Sequence, residues 1–474
     1  MKKKDLRSKE WFDNPNDPGL TALYLERYLN YGLKKEDLQS GKPIIGIAQS
    51  GSDLSPCNRH FQALSKTIKD GIREAGGVPM EFPTHPIQET GKRPTAALDR
   101  NLSYLSLVEV LFGYPIDGVI LTTGCDKTTP AALMAAATVN IPSIVLSGGP
   151  MLDGSYKGKK AGSGTIIWEA RKLHAKGEIN YDEFMDMAAA SAPSIGHCNT
   201  MGTASSMNSI AEALGMSLTG GAIIPAPYKK RESISFETGK RIVEMVHEDL
   251  TPSKIMTKEA FENAIYVASA IGASSNCPPH LTAIARHMGI DLDIDSWQKL
   301  GHDIPLLVNC QPAGEHLMEG FFKAGGIPAI MQELMKNNKL HKNVMTVTGK
   351  TVEENLNIKI DVDGNVIKSF KNPLVENAGF IVMKSNFFSS AVMKTSVISE
   401  EFRKRYLSNP KNPNIFEAQA VVFEGPEDYH KRINDENLKI DENSILMIRG
   451  CGPVGYPGSA EVVNMHPPES LLKK

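Results

Sequence analysis

DGVILTTGCDKTTPAALMAAATVNIPSIVLSGG, residues 117–149, runs from an apolar strand through a polar loop into a helix of small residues and out into a second strand. DGVILTT (117–123) is a short β-branched run, GCDKTTP breaks it, and AALMAAATV has helical composition. IPSIVLSGG (141–149) then reads as another buried strand. The same grammar lies upstream. PIIGIA (43–48) is a strand, and after a loop holding Cys57 the segment HFQALSKTIKDGIREAGG reads as a helix closed by glycine. Strand–loop–helix repetition predicts a mainly parallel sheet with helices on both faces. In such sheets ligands bind beyond the carboxyl ends of the strands, and Cys57 and Cys125 both fall just past a strand end.

Downstream, 167–190 and 202–216 are predicted helices, and 227 to about 340 reads as further helices on short loops. The pattern changes after about 343. VMTVTG (344–349), LNIKIDVDG (356–364), AGFIVMKS (378–385), AQAVVFEG (418–425) and SILMIRG (444–450) are strand-like, and 405–415 reads as an exposed loop. The expected division is an α/β domain over 1–370 and a β-rich domain over 371–474.

At 474 residues the chain exceeds one ordinary core. With 41% hydrophobic and 22% charged residues it has a globular composition, and a net charge of −2 gives no general attraction to nucleic acid or anionic membrane. The basic start MKKKDLRSKEWF has no apolar stretch behind it, so it is not read as a secretory signal, and no run has the length of a bilayer span. Six irregularly spaced cysteines read as reduced thiols in a cytoplasm.

Cys277, Cys310 and Cys451 read as small buried hydrophobes. Cys57 (SPCNRH), Cys125 (TGCDKTTP) and Cys198 (IGHCNTMG) differ, since each stands among turn and polar residues ahead of a helix, where backbone N–H groups favour a thiolate. The residues alone leave a shared metal site and three separate buried thiols both open. No CxxC pair occurs, which disfavours structural zinc. Asp126 reads as an oxygen ligand or as the N-cap of the following helix, and Lys127 as a site residue or a solvated amine. If the backbone is extended there, adjacent side chains diverge, so sulfur and carboxylate would serve two different metals. Glu89, in HPIQET, is a further oxygen ligand or an exposed acid. TGKT (348–351) fails as a phosphate loop because Val344 occupies the first glycine position, and GSG (162–164) does not continue into a dinucleotide fingerprint. DVDGN reads as a hairpin turn. His197 reads equally as a ligand neighbour and as a loop histidine.

SDLSPCNRH (52–60), TTGCDKTTPAALMAAA (122–137) and HCNTMGTASSMNSIAEALG (197–215) together resemble the iron–sulfur, magnesium-dependent family of dihydroxy-acid dehydratase and phosphogluconate dehydratase. LRSKEWF (6–12) and CGPVGYPGSAEVVNM (451–465) look most like its sugar-acid branch, typified by L-arabinonate and D-xylonate dehydratases. The resemblance covers essentially the whole chain. It implies that Cys57, Cys125 and Cys198 bind a [2Fe–2S] cluster, with [4Fe–4S] as the family's other form. It also implies that Glu89, Asp126, Lys127 and Glu461 hold Mg²⁺, with Lys127 carbamylated, because only a neutral lysine that has added CO₂ becomes an anionic oxygen donor. The implied fold adds a C-terminal β-barrel-like, swivelling β/α domain, expected here to be incomplete. Active sites are expected near the interface of a homodimer or homotetramer.

The implied reaction is dehydration of a sugar acid to its 2-keto-3-deoxy acid. Mg²⁺ would stabilise charge at the carboxylate end, and the cluster would act as Lewis acid on the 3-hydroxyl. The rival within the enzyme class is the dihydroxy-acid dehydratase of branched-chain amino-acid synthesis. The family's base is a serine in a motif downstream of GPVGYPG, and nothing before Lys474 matches it. A further expectation is therefore a truncated chain that binds metals but has weak or no activity.

Overall fold

In the computed structural model, residues 5–87, 97–386, 388–450 and 466–473 are described. Four parallel strands form the central sheet: β1 (Ile44–Gln49), β2 (Val78–Pro83), β3 (Gly118–Thr123) and β4 (Ser143–Ser147), in the order β2-β1-β3-β4. Every residue of β1, β3 and β4 is buried, as continuous apolar strands covered on both faces must be. The sheet register pairs Ile47 with Ile120 and Leu121 with Val145. The expected parallel sheet flanked by helices is present.

Helices cover it in pairs. α1 (Phe61–Glu74), α2 (Ala97–Gly113) and α3 (Thr128–Val139) follow β1, β2 and β3, while α4 (Thr203–Ala213), α5 (Lys229–Glu248) and α6 (Cys277–His287) come later. α1 packs on α5 through two glycines. A Cβ on Gly71 would lie 2.1 Å from Phe236 O, and one on Gly239 would lie 2.4 Å from Ile68 O. The backbones can approach this closely only where side chains are missing. α3 is sealed in along nearly its whole length, from Thr128 to Ala137, and stops at Asn140 in a left-handed conformation (φ 53°). No described helix is long and apolar enough to cross a membrane.

Beyond residue 343 the strand expectation is only partly met. β5 (Phe380–Met383) pairs antiparallel with β6 (Ala391–Lys394), and β7 (Gln419–Phe423) pairs parallel with β8 (Ser444–Ile448). VMTVTG and LNIKIDVDG are not strands. Val344 and Val347 are buried core residues, but their backbone makes turns, with Val347 N donating to Gly215 O at 2.8 Å. TGKT instead leads into a short helix, Val352–Leu356, closed by a Thr351–Glu354 capping box. DVDGN has no flanking strands. Asn365 N donates to Asp363 Oδ1 at 2.8 Å, a side-chain turn rather than a hairpin. Phe380 packs edge-on against buried Trp297 at 5.0 Å and joins the main core, whereas Val421, Phe423, Tyr429 and Ile433 form a small core of their own.

Candidate active site

The chain leaves β1 toward one sheet edge, returns, and leaves β3 toward the other, so the topological switch lies between β1 and β3. A crevice opens at such a point because the two connections diverge. Cys57 lies in the loop after β1, and Cys125 is the second residue after β3. Cys198 arrives from a distant segment that is sewn onto the exit of β4. His197 N donates to Gly149 O at 3.0 Å and Met151 N to His197 O at 2.9 Å. All three cysteines precede helices, α1, α3 and α4 respectively, so three helix N-termini face one region.

The sulfurs converge. The Cys125 thiol is hydrogen-bonded to the Cys57 sulfur, and its Sγ lies 3.3 Å from Asp126 Oδ1. That bond to Cys57, then burial and the Asp126 charge, push Cys125 well above the usual thiol range. Cys198 is pushed up to about 12 by burial, then by the charges of Cys57 and Asp126, against a hydrogen bond with Ser163. Anionic donors this close repel one another, and a cationic centre between them would remove the cause. Among the described residues no three His, Cys, Asp or Glu side chains already stand in a finished metal-ligand arrangement. The donor set nonetheless suits an iron–sulfur centre, with three thiols beside a carboxylate in a largely dry pocket. Glu89, Cys451 and Glu461 lie outside the described residues.

Asp126 does not cap α3. The N-cap position is Lys127, without a side-chain cap bond, and Asp126 turns its carboxylate to Cys125 and to Lys127 Nζ at 3.1 Å. Nor do Cys125 and Asp126 diverge, because residues 124–127 form a turn rather than extended chain. Lys127 is no surface amine, as both side chains of its pair with Asp126 are 1% exposed.

Two asparagines hold the turn. Asn58 Oδ1 accepts from Cys125 N at 2.9 Å, and Asn208 Nδ2 donates to Gly124 O at 3.1 Å while its Oδ1 accepts from Thr123 Oγ1 at 2.8 Å. Asn58, Asn208 and Ser163 were not singled out from sequence, although Asn58 stands directly beside Cys57. His197 donates through Nδ1 to Cys198 O at 3.0 Å, and burial holds it at about 3, so it is neutral and shapes the loop. Cys277 and Cys310 are buried, as expected, and none of the five described cysteines forms a disulfide.

Comparison with known proteins agrees with this geometry. The chain matches the dihydroxy-acid/6-phosphogluconate dehydratase N-terminal family over residues 42–355 and the corresponding C-terminal family over 365–474. The D-xylonate dehydratase of Caulobacter vibrioides is 61% identical over 469 residues, covering 99% of this chain and 79% of that protein. The L-arabinonate dehydratase of Rhizobium leguminosarum bv. trifolii is 44% identical over 480 residues, covering 100% and 80%. A dihydroxy-acid dehydratase of Acetivibrio thermocellus is 35% identical over 441 residues, covering 91% and 76%. The chain belongs to the dihydroxy-acid/6-phosphogluconate dehydratase family and is an enzyme of the hydro-lyase class.

Proposed function

We propose that this chain dehydrates a five- or six-carbon aldonate, such as D-xylonate or L-arabinonate, to its 2-keto-3-deoxy acid. The observation that carries the reading is the meeting of Cys57, Cys125 and Cys198 around Asp126 at the sheet's switch point. The much higher identity to sugar-acid dehydratases than to dihydroxy-acid dehydratases supports the substrate class.

In this reading the three cysteines hold an iron–sulfur cluster, and Asp126, carbamylated Lys127, Glu89 and Glu461 hold Mg²⁺. When bound, these groups supply Lewis acidity toward the departing hydroxyl and the charge that develops beside the carboxylate. The chain's own part is orientation and exclusion of water. Asn58 and Asn208 fix the Gly124–Cys125 turn, and Cys125, Asp126 and Lys127 are almost fully buried. Cys57 and Cys198 are partly exposed, which leaves the mouth of the site on their side.

Further parts of the proposal are a β-rich second domain from about residue 371, a cytoplasmic location and a homo-oligomeric state. Leu98, Leu102, Leu105 and Phe112 form an exposed stripe on α2, a face suited to burial against a second copy. The test is turnover by anaerobically reconstituted protein supplied with Fe²⁺, sulfide and Mg²⁺. Keto-acid formation from pentonates and hexonates is expected, and conversion of a branched 2,3-dihydroxy acid with none from any aldonate would replace this reading with the branched-chain one.

A further inference from the structure

His280 sits in the first turn of α6, 5% exposed, beside the equally buried Arg100 of α2. Arg100 Nη1 lies 3.0 Å from His280 Nδ1. A guanidinium has no acceptor, so Nδ1 must be the accepting nitrogen of this bond. Burial, and after it the positive charges of Arg100 and Lys127, hold His280 well below its ordinary value, so the ring is neutral. With Nδ1 accepting in a neutral ring, the proton resides on Nε2. Nε2–H is then a fixed donor, and it is buried without a hydrogen-bond partner. Such a group costs about 1–3 kcal/mol unless something accepts from it.

Its surroundings indicate what accepts. α6 and α3 run side by side, with Thr138 Oγ1 and His287 Nδ1 3.0 Å apart near their carboxyl ends. At about 1.5 Å per residue, His280 stands about 10 Å back along α6, and Lys127 about 16 Å back along α3. The difference of about 6 Å is within the span of a lysine side chain, consistent with the charge of Lys127 being felt at His280.

We infer that His280 is a positioning residue whose Nε2–H donates to the carbamate of Lys127, with Arg100 setting the tautomer from behind. The inference rests on the carbamate reading of Lys127 given above. In that modification Lys127 Nζ bonds to the carbon of CO₂ and releases one proton to solvent, producing the oxygen anion that a fixed donor would orient. A histidine whose second nitrogen is engaged behind it is the usual arrangement for holding a metal-site anion in place.

The test compares His280→Gln, His280→Asn and His280→Phe in the full-length chain. Glutamine places its amide N–H near the Nε2 position, asparagine near Nδ1, and phenylalanine supplies none. After equilibration with ¹³C-bicarbonate, carbamate occupancy is read by ¹³C NMR and Mg²⁺ affinity by calorimetry, with far-UV circular dichroism as the control for folding. Expected are wild-type occupancy in H280Q, and loss of carbamate with about 10–100-fold weaker Mg²⁺ binding in H280N and H280F. Equal behaviour of all three variants, whether all retain or all lose the carbamate, overturns the role of His280 alone. Absence of the carbamate signal from the wild-type protein overturns the Lys127 reading as well.

Discussion

Replacing Gly124 by alanine tests how the cysteine turn is held. A Cβ at this position would lie 2.3 Å from Asn58 Oδ1 and 3.2 Å from Cys57 O. The first distance is impossible, so Asn58 must move, yet its Oδ1 is the acceptor for Cys125 N–H. Forcing a methyl into a packed site costs about 1–3 kcal/mol. Leaving that buried N–H without its acceptor costs about another 1–3 kcal/mol. G124A is therefore expected to lose about 2–6 kcal/mol, and N58A alone about 1–3 kcal/mol. In the double variant the obstructing amide is gone, so the added methyl meets little resistance, and the total should stay near that of N58A. Urea unfolding followed by circular dichroism, on matched iron-free preparations, gives the coupling directly. Antagonism above ~1 kcal/mol is expected; a double variant equal to the sum of the singles within ~0.5 kcal/mol would refute the reasoning.

Three other outcomes are expected. Serine at Cys57, Cys125 or Cys198 should abolish most iron uptake on anaerobic reconstitution, while Cys277→Ala and Cys310→Ala retain it; the opposite pattern in iron analysis would remove these thiols as ligands. Glu212 is raised to about 7 by burial, despite the amides of Ala222 and Gly220 that bond to it. Its folded value thus lies above its ordinary 4.5, so its stabilising contribution is present below 4.5 and is lost as pH rises through about 7. Relative to Glu212→Gln, the wild type should lose about 3 kcal/mol between pH 4.5 and 8, and a pH-independent difference in urea stability would show that Glu212 does not titrate in this window. Leu105→Glu, in the exposed stripe of α2, should lower the mass seen by light scattering to that of a monomer, and an unchanged mass would clear this face of any role in assembly.

Short-range pattern made much of the fold legible. β1, β3 and β4 are runs whose apolar continuity has one physical use, burial on both faces of a parallel sheet, and their helices follow at once. The same logic failed after residue 343. In VMTVTG, alternating Val and Thr satisfy the core through Val344 and Val347 while the backbone bonds within turns and to Gly215. Period-2 composition reports which side chains want burial, and strand formation needs a neighbouring strand besides. β2, with its proline-bounded VPMEFP, was missed for the converse reason: its edge position leaves it only partly buried.

Within the site, the three cysteine motifs and CDK at 125–127 could be read directly, because thiols among polar turn residues ahead of helices are chemically distinctive. What those residues do to one another could not. Whether Asp126 caps a helix or faces Cys125, and whether Lys127 is solvated or 1% exposed, depends on Asn58, Asn208 and α6, contributed from tens to more than a hundred residues away. His280 carries no local signal at all, since its tautomer follows from an arginine 180 positions earlier. Sequence determined the donor types and the strands that carry them. Tertiary structure decided their grouping, because strand order and helix packing are settled by long-range burial to which no local window has access.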